Sequence, residues 1–304
     1  MTHLTAGDIL PLASKSETIY GTPTGSWAYY ADVKGDAGSF TPTDTPNPYV
    51  AWKSGGRAYN PNDYVPTNHE AGYTDILEAG DVAGWENIIK NAMGGASTAG
   101  VTVLPSRTVQ FMVSKGASYD SLTYYGCKTD RLEIKADQPG GIVEFDETVL
   151  ASYNLPGTAG TDTGGTQAPV QWVGGVTVNG TAIYPQNLRL TIANNLGRVK
   201  GPVTANSNKA GTVALVEGRQ DMELSIDVWM EDLAEIADAG PSFQGALNAE
   251  SKTVIFTLGI SNPQVLTATG YYMADGQHPA LIQDKQMQTL RFRIDSLAIA
   301  APSP

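Results

Sequence analysis

The sequence predicts a mostly β protein made of two tandem β-sandwich or barrel domains, each flanked by one short α-helix. Three observations carry this. The chain has 304 residues, about twice the usual length of a single domain. Gly (33) and Pro (18) are plentiful while charged residues make up only 16%, which favours short strands joined by turns. Apolar and polar residues alternate along most of the patterned segments, the period of a half-buried strand.

In chain order, GSWAYYADVKG (25–35) is the first convincing strand. The stretch 40–68 is rich in Pro and Gly and alternates poorly, so it reads as a long ordered loop; Tyr49, Trp52, Tyr59 and Tyr64 could anchor it to a neighbour or to its own domain. DVAGWENIIKNAM (81–93) reads as a helix with Asp81 as its N-terminal cap, Trp85, Ile88 and Ile89 on one face, and Gly94 and Gly95 as its stop. Three strands follow: RTVQFMV (107–113), YYGCKTDRLEIKA (124–136) and GIVEFDETVLA (141–151). The pattern then breaks, dividing the chain into a first domain (1–155), a linker (156–168) and a second domain (169–304).

The second half opens with QWVGGVTVNGTAI, whose Asn179 and Gly180 suit a tight hairpin turn, and NLRLTIANNL, with Leu188, Leu190 and Ile192 on one face. A polar excursion (197–211) leads into one long strand (212–230), which makes a hairpin projecting from the domain. EDLAEIADA (231–239) reads as a second helix, and KTVIFTL, VLTATGYYMA and QTLRFRIDSLAIA close the chain as strands. RTVQF (107–111) matches KTVIF (252–256), and VEFDETVLA (143–151) matches LRFRIDSLA (290–298) through Phe145 and Phe292, so the halves read as a duplication.

The net charge of -12 excludes ordinary DNA gripping, which needs Lys and Arg on phosphates, but leaves open a protein that encloses DNA and lets it slide. A single cysteine, Cys127, forms no internal disulfide and reads as a buried small residue, and with scattered His3, His69 and His278 it offers no metal-ligand spacing. The N-terminus lacks a secretory pattern, and no apolar run reaches membrane-spanning length. Asp130 with Glu133, and Asp146 with Glu147, lie in strands where acidic residues usually form the solvated face, so no catalytic pair is expected. The Gly-Gly runs lack the Lys and the context of a phosphate loop and read as turns. Trp85 is expected in the first core, Trp172 and Trp229 in the second.

Two segments together resemble the tail tube proteins of long-tailed, siphovirus-like phages and archaeal viruses. They are SYDSLTYYGCKTDRLEIKADQPGGIVEFDETVLASYN (118–154), with its Y-x-G-C strand and Gly-rich turn, and NLRLTIANNLGRVKGPVTANSNKAGTVALVEGRQDMELSIDVWMED (187–232), with its NNL strand end and EGR return strand. The resemblance implies that each domain has the tail tube fold, and the residues themselves point to no cofactor, metal or enzymatic activity. It implies self-assembly into rings, each a trimer of two-domain chains imitating six-fold symmetry, stacked into a tube. Double-stranded DNA would pass through the lumen without specific binding. The partners implied are other tail proteins, such as the tape measure and tail terminator, with no membrane, and the location is the virion tail, assembled in the host cytoplasm. Ring closure would proceed by strand addition at sheet edges. The contact candidates are Tyr49, Trp52, Tyr59 and Tyr64 in the loop, and Arg198, Lys200 and Lys209 in the excursion. A second reading is a virion or cell-surface adhesin or decoration protein whose aromatic loops bind glycan or receptor; a third, a hydrolase with unmarked carboxylates, requires a cleft and turnover.

Overall fold

The computed structural model describes residues 12–34, 40–43, 45–50, 64–94, 103–114, 119–157, 167–203, 209–230, 251–273 and 286–302. The first half contains β1 (Leu12–Ile19), β2 (Thr22–Pro23), β3 (Ala28–Val33), β4 (Phe40–Pro42), β5 (Thr45–Val50), β6 (Tyr64–Glu78), α1 (Asn87–Met93), β7 (Arg107–Ser114), β8 (Tyr119–Ala136), β9 (Val143–Ala151) and β10 (Tyr153–Gly157). Antiparallel pairing runs from β1 to β3, β3 to β6, β6 to β9, β9 to β8, β8 to β7 and back to β1. The ladder therefore closes on itself as a barrel, the arrangement that leaves fewest unpaired edges.

The second half contains β11 (Trp172–Val178), β12 (Thr181–Ile183), β13 (Pro185–Ala193), β14 (Gly197–Val203), β15 (Lys209–Val216), β16 (Asp221–Met230), β17 (Ser251–Leu258), β18 (Gln264–Tyr272) and β19 (Gln286–Ala300). Asn179 (φ 51) and Gly180 (φ 86) turn β11 into β12, as their sequence requires. Here β11 pairs with β12, β13 with β16, β16 with β19, β19 with β18, β18 with β17 and β17 with β11. With β12 and β13 separated by Tyr184 alone, this ladder follows the same circuit as the first. The matched segments occupy matching places, β7 with β17 and β9 with β19.

One strand joins the two circuits. The N-terminal part of β8 lies between β7 and β10, and its C-terminal part lies between β9 and β13, with Leu188↔Ala136, Leu190↔Ile134 and Ile192↔Leu132 in register. Among the described residues a 17-stranded sheet results. Along the seam Leu132, Ile134, Leu188, Leu190 and Ile192 all point inward and are buried, because period-two alternation puts each set on one face. Trp85 and Trp172 are buried as expected. Trp229 and the second helix segment (231–239) lie outside the residues whose side chains or backbone are described.

The structure corrects several expectations. Phe40–Pro42 and Thr45–Val50, read as loop, pair with β6; their prolines hid a ladder that tolerates Pro where no donor is required. The long strand 212–230 is two strands, broken at 217–220. The excursion is a ribbon of its own, β14 with β15, whose β15 lies against β6 of the first half, while the tip expected to project (204–208) lies outside the described residues. Gly174 and Gly175 sit inside β11, where the register with β17 slips between Val173 and Thr177, and form a strand irregularity there. Asp81 does not cap the helix: Glu86 holds that position without a side-chain cap, while Gly94 ends the helix in the left-handed region as expected.

Candidate assembly surface

The β14–β15 ribbon is fastened to the first half by buried and half-buried polar groups. Arg198 reaches inward and donates to the Ala71 carbonyl (2.8 Å), the Ala151 carbonyl (2.9 Å) and Thr212 Oγ1 (3.0 Å). Ser152 Oγ donates to the Thr212 carbonyl, and Thr212 N–H returns a bond to the Ser152 carbonyl. At the rim Lys200 pairs with Glu70 at 2.6 Å, both half-exposed, and that bond holds the Glu70 carboxyl below its ordinary range. The outward face of the ribbon carries Val199, Val213 and Val216, all exposed.

The NNL and EGR segments form the knot at the base of this ribbon. Asn194 is buried, and its amide donates to the Ala92 carbonyl at the helix end (3.0 Å) and to the Thr129 carbonyl of β8 (2.9 Å). Gln220 also donates to the Ala92 carbonyl, so two side chains satisfy an acceptor that the helix terminus leaves unused. Asn195 adopts positive φ (51°), and its amide donates to the Arg219 carbonyl. Leu196 N–H donates to the Asp130 carboxylate. Glu217 accepts from Lys128 Nζ (2.5 Å) and Leu104 N–H (3.2 Å); burial pushes its carboxyl up, but these bonds outweigh burial and lower it.

A second fastening joins the halves on the far side of α1. The Asp81 carboxylate accepts the backbone N–H groups of Ile260 (2.8 Å), Ser261 (2.7 Å) and Asn262 (3.5 Å), a concave nest of amides that suits an anion. Trp85 Nε1 donates to the Asn262 carbonyl. The capping role foreseen for Asp81 is thus replaced by one that ties the two halves together.

Across the seam, the solvent face of the sheet carries an unbroken band of polar residues. Glu144, Lys135, Arg189, Ser225 and Arg291 are successive partners across β9, β8, β13, β16 and β19, and Asp146, Glu133, Thr191, Glu223 and Arg293 form the next row. Lys34 pairs with Glu144, Lys135 with Asp146, Arg131 and Arg189 with Glu133, and Arg293 with Asp221. Glu133 was expected on the open face; it is nearly covered by these cations.

Glu147 departs further from expectation. It lies fully inside the first barrel, where it accepts from Arg107 Nη2 (2.5 Å), Thr129 Oγ1 (2.5 Å) and Tyr30 Oη (3.0 Å). Asp75 sits directly opposite it on β6, wholly buried and with both carboxylate oxygens unbonded. Desolvation raises the Asp75 carboxyl well above its ordinary range, helped by the Glu147 charge and opposed by Arg107. Cys127 is buried nearby, and desolvation raises its thiol. These groups face a packed interior and serve the barrel's structure; among the described residues no cluster of metal-ligating side chains occurs.

Of the candidates read from sequence, Arg198 and Lys200 make the bonds within the chain given above. Lys209 opens β15 opposite Val203, and Tyr49 and Tyr64 lie in the β5–β6 ladder, Tyr49 facing Val65 and Tyr64 facing Val50. Trp52 and Tyr59 lie outside the described residues. Sequence reasoning missed Asn194 and Asp81 as fasteners, although the NNL motif was itself visible.

Two closed β-barrels fused through a shared strand, with a continuous polar sheet face, define a structural β protein. Residues 10–293 match the phage tail tube protein family, and the chain belongs to that family. It is thus a structural component of the virion tail, as the resemblance implied. A search of curated proteins found no match.

Proposed function

We propose that this chain polymerises into rings that stack as the hollow tail tube through which the viral genome passes, without enzymatic activity. The observation that carries the reading is the repeated ladder: one chain supplies the same six-step strand circuit twice and already joins the two copies edge to edge at β8 and β13. We read the halves as the two domains 1–155 and 169–304, so that three chains make a ring of six similar units. The sheet face spanning β9, β8, β13, β16 and β19 then suits the lumen, because Arg131, Lys135, Arg189 and Arg293 are matched by carboxylates and offer DNA phosphates little to grip. The ribbon's outward face with Lys209, and the 40–68 segment with Tyr49, Trp52, Tyr59 and Tyr64, are the contacts proposed towards adjacent subunits or rings, with Arg198 and Lys200 bracing the ribbon. The tape measure and tail terminator remain the proposed tail partners.

Electron microscopy of purified protein at rising concentration tests this. Rings or tubes of constant width, with three-fold averages showing six similar units, are expected. Dispersed particles at every concentration and salt condition would overturn it, and a discrete monomer that binds glycan would favour the adhesin reading.

A further inference from the structure

Three of the cations on the proposed lumen face gather at the seam. Arg131, Glu133 and Lys135 follow one another along the outward side of β8, and Arg189 of β13 stands directly opposite Lys135. Cations opposite one another across a strand pair repel, and a shared anion relieves that repulsion. Glu133 supplies it. Its Oε2 lies 3.0 Å from Arg131 Nη2, and its Oε1 lies 3.0 Å from Arg189 Nε and 4.0 Å from Lys135 Nζ. The Glu133 side chain is 11% exposed, whereas those of Arg131 and Arg189 are 55% and 60% exposed. The anion is therefore covered, and the guanidinium groups it compensates stay open to solvent.

Lys135 has a second carboxylate, Asp146, at 3.0 Å. For Arg131 and Arg189, Glu133 is the single ion-pair partner among the described residues. The ladder itself does not demand an acid at this place. In the second circuit β18 lies between β17 and β19 as β8 lies between β7 and β9, and Tyr271 stands opposite Arg293 where Glu133 stands opposite Asp146. Glu133 thus answers to the cations that the seam brings together, two from β8 and one from β13.

We infer that Glu133 is the residue that keeps this face from holding DNA: it masks Arg131 and Arg189, and without it both guanidinium groups bind phosphates of the duplex backbone. The inference rests on the ring-and-tube reading and deepens its account of the lumen, assigning the lack of grip to one side chain. Loss of a carboxylate shared by two guanidinium groups frees both at once. Loss of Asp146 frees neither, and Lys135 still has Glu133 beside it. The two losses change net charge equally, so they separate masking from overall charge.

Titration of a short DNA duplex into dispersed wild-type, Glu133→Gln and Asp146→Asn chains over a salt series tests this. At low salt Glu133→Gln should bind roughly tenfold or more tightly than wild type, and its log affinity should fall more steeply with log salt by about 1.8, about 0.9 for each of two phosphates. Asp146→Asn should stay near wild type, and adding Arg131→Gln and Arg189→Gln to Glu133→Gln should abolish the gain. Equal gains in the two single variants, or no gain in a folded Glu133→Gln, would overturn the inference. Should Glu133→Gln fail to fold, Glu133→Thr, neutral and suited to a strand, decides by the same titration. The lumen is tested separately, after assembly. Binding per chain of Glu133→Gln should then drop, because a duplex reaches the bore only through the open ends of a tube. Undiminished binding by tubes would put the face outside the bore and overturn the lumen assignment, and absence of any wild-type assembly would overturn the tube reading; neither result alters what the dispersed chains show of Glu133.

Discussion

Arg107 and Glu147 meet inside the first barrel with guanidinium Nη2 2.5 Å from carboxylate Oε1, their side chains 6% and 0% exposed. Each charge is compensated chiefly by the other, with Thr129 and Tyr30 satisfying further valences of the carboxylate and the Tyr30 ring lying against the guanidinium. Removing one partner leaves the other charged in a dry interior, which costs about 3–5 kcal/mol in comparable cases. Glu147→Gln and Arg107→Met should each lower unfolding free energy by that order in urea titrations. A double variant carrying both changes should lose less than the sum of the singles, since it leaves no orphaned charge. Additive losses would mean that the pair is not coupled.

Asp75 makes the opposite kind of contribution. Its folded-state carboxyl lies well above the ordinary value of 3.8, so the native chain holds a proton that the unfolded chain releases. Stability from this group is therefore full below pH 3.8 and falls as pH rises through the elevated folded value. Asp75→Asn, which mimics the neutral form, should be more stable than wild type at neutral and mildly alkaline pH and should lose part of the pH dependence. Parallel melting curves across that range would show that Asp75 is ionised in the fold.

These two carboxyl groups also mark where the sequence was legible. Alternation revealed the inward sets Leu188, Leu190, Ile192 and Leu132, Ile134, Ala136, because burial of a strand face is a local pattern. It failed at Glu147, which lies in the inward set Val143, Phe145, Val149 but whose polar side chain argued for solvent; the partner that reverses that argument, Arg107, lies in another strand. The NNL and EGR words were visible as a family pattern, yet the role of Asn194 depends on carbonyls at Ala92 and Thr129 that adjoin it only after folding. Prolines in 40–50 masked β4 and β5 because propensity penalises Pro in any strand, whereas the ladder excludes it only where an amide is required.

Asn194 fastens α1, β8 and the base of the ribbon through one amide. Asn194→Ala would strand two buried acceptors, at a cost of about 1–3 kcal/mol each, partly relieved because Gln220 still donates to Ala92. A net loss of about 2–4 kcal/mol is expected, together with faster amide exchange in residues 194–196. Asn194→Asp should be no milder, because a carboxylate donates to neither carbonyl. Wild-type stability in Asn194→Ala would show that the knot is held by the backbone alone.

The two ion-paired and anion-bound fastenings should behave differently from one another. Lys200 and Glu70 are 45% and 39% exposed, so water screens their attraction, and Lys200→Met should change unfolding free energy by less than about 1 kcal/mol. Asp81 is only 6% exposed and gathers amides from a loop of the other half, so Asp81→Ala removes a buried charged acceptor of several hydrogen bonds and should cost about 1.5–3 kcal/mol. Because those amides belong to 260–262, the loss should appear as exchange at that loop and as fluorescence change at Trp85, whose indole donates to Asn262. If Lys200→Met proved as damaging as Asp81→Ala, burial would not be what separates the two contacts, and the ribbon's hold on the first half would depend on its rim rather than on Arg198 beneath it.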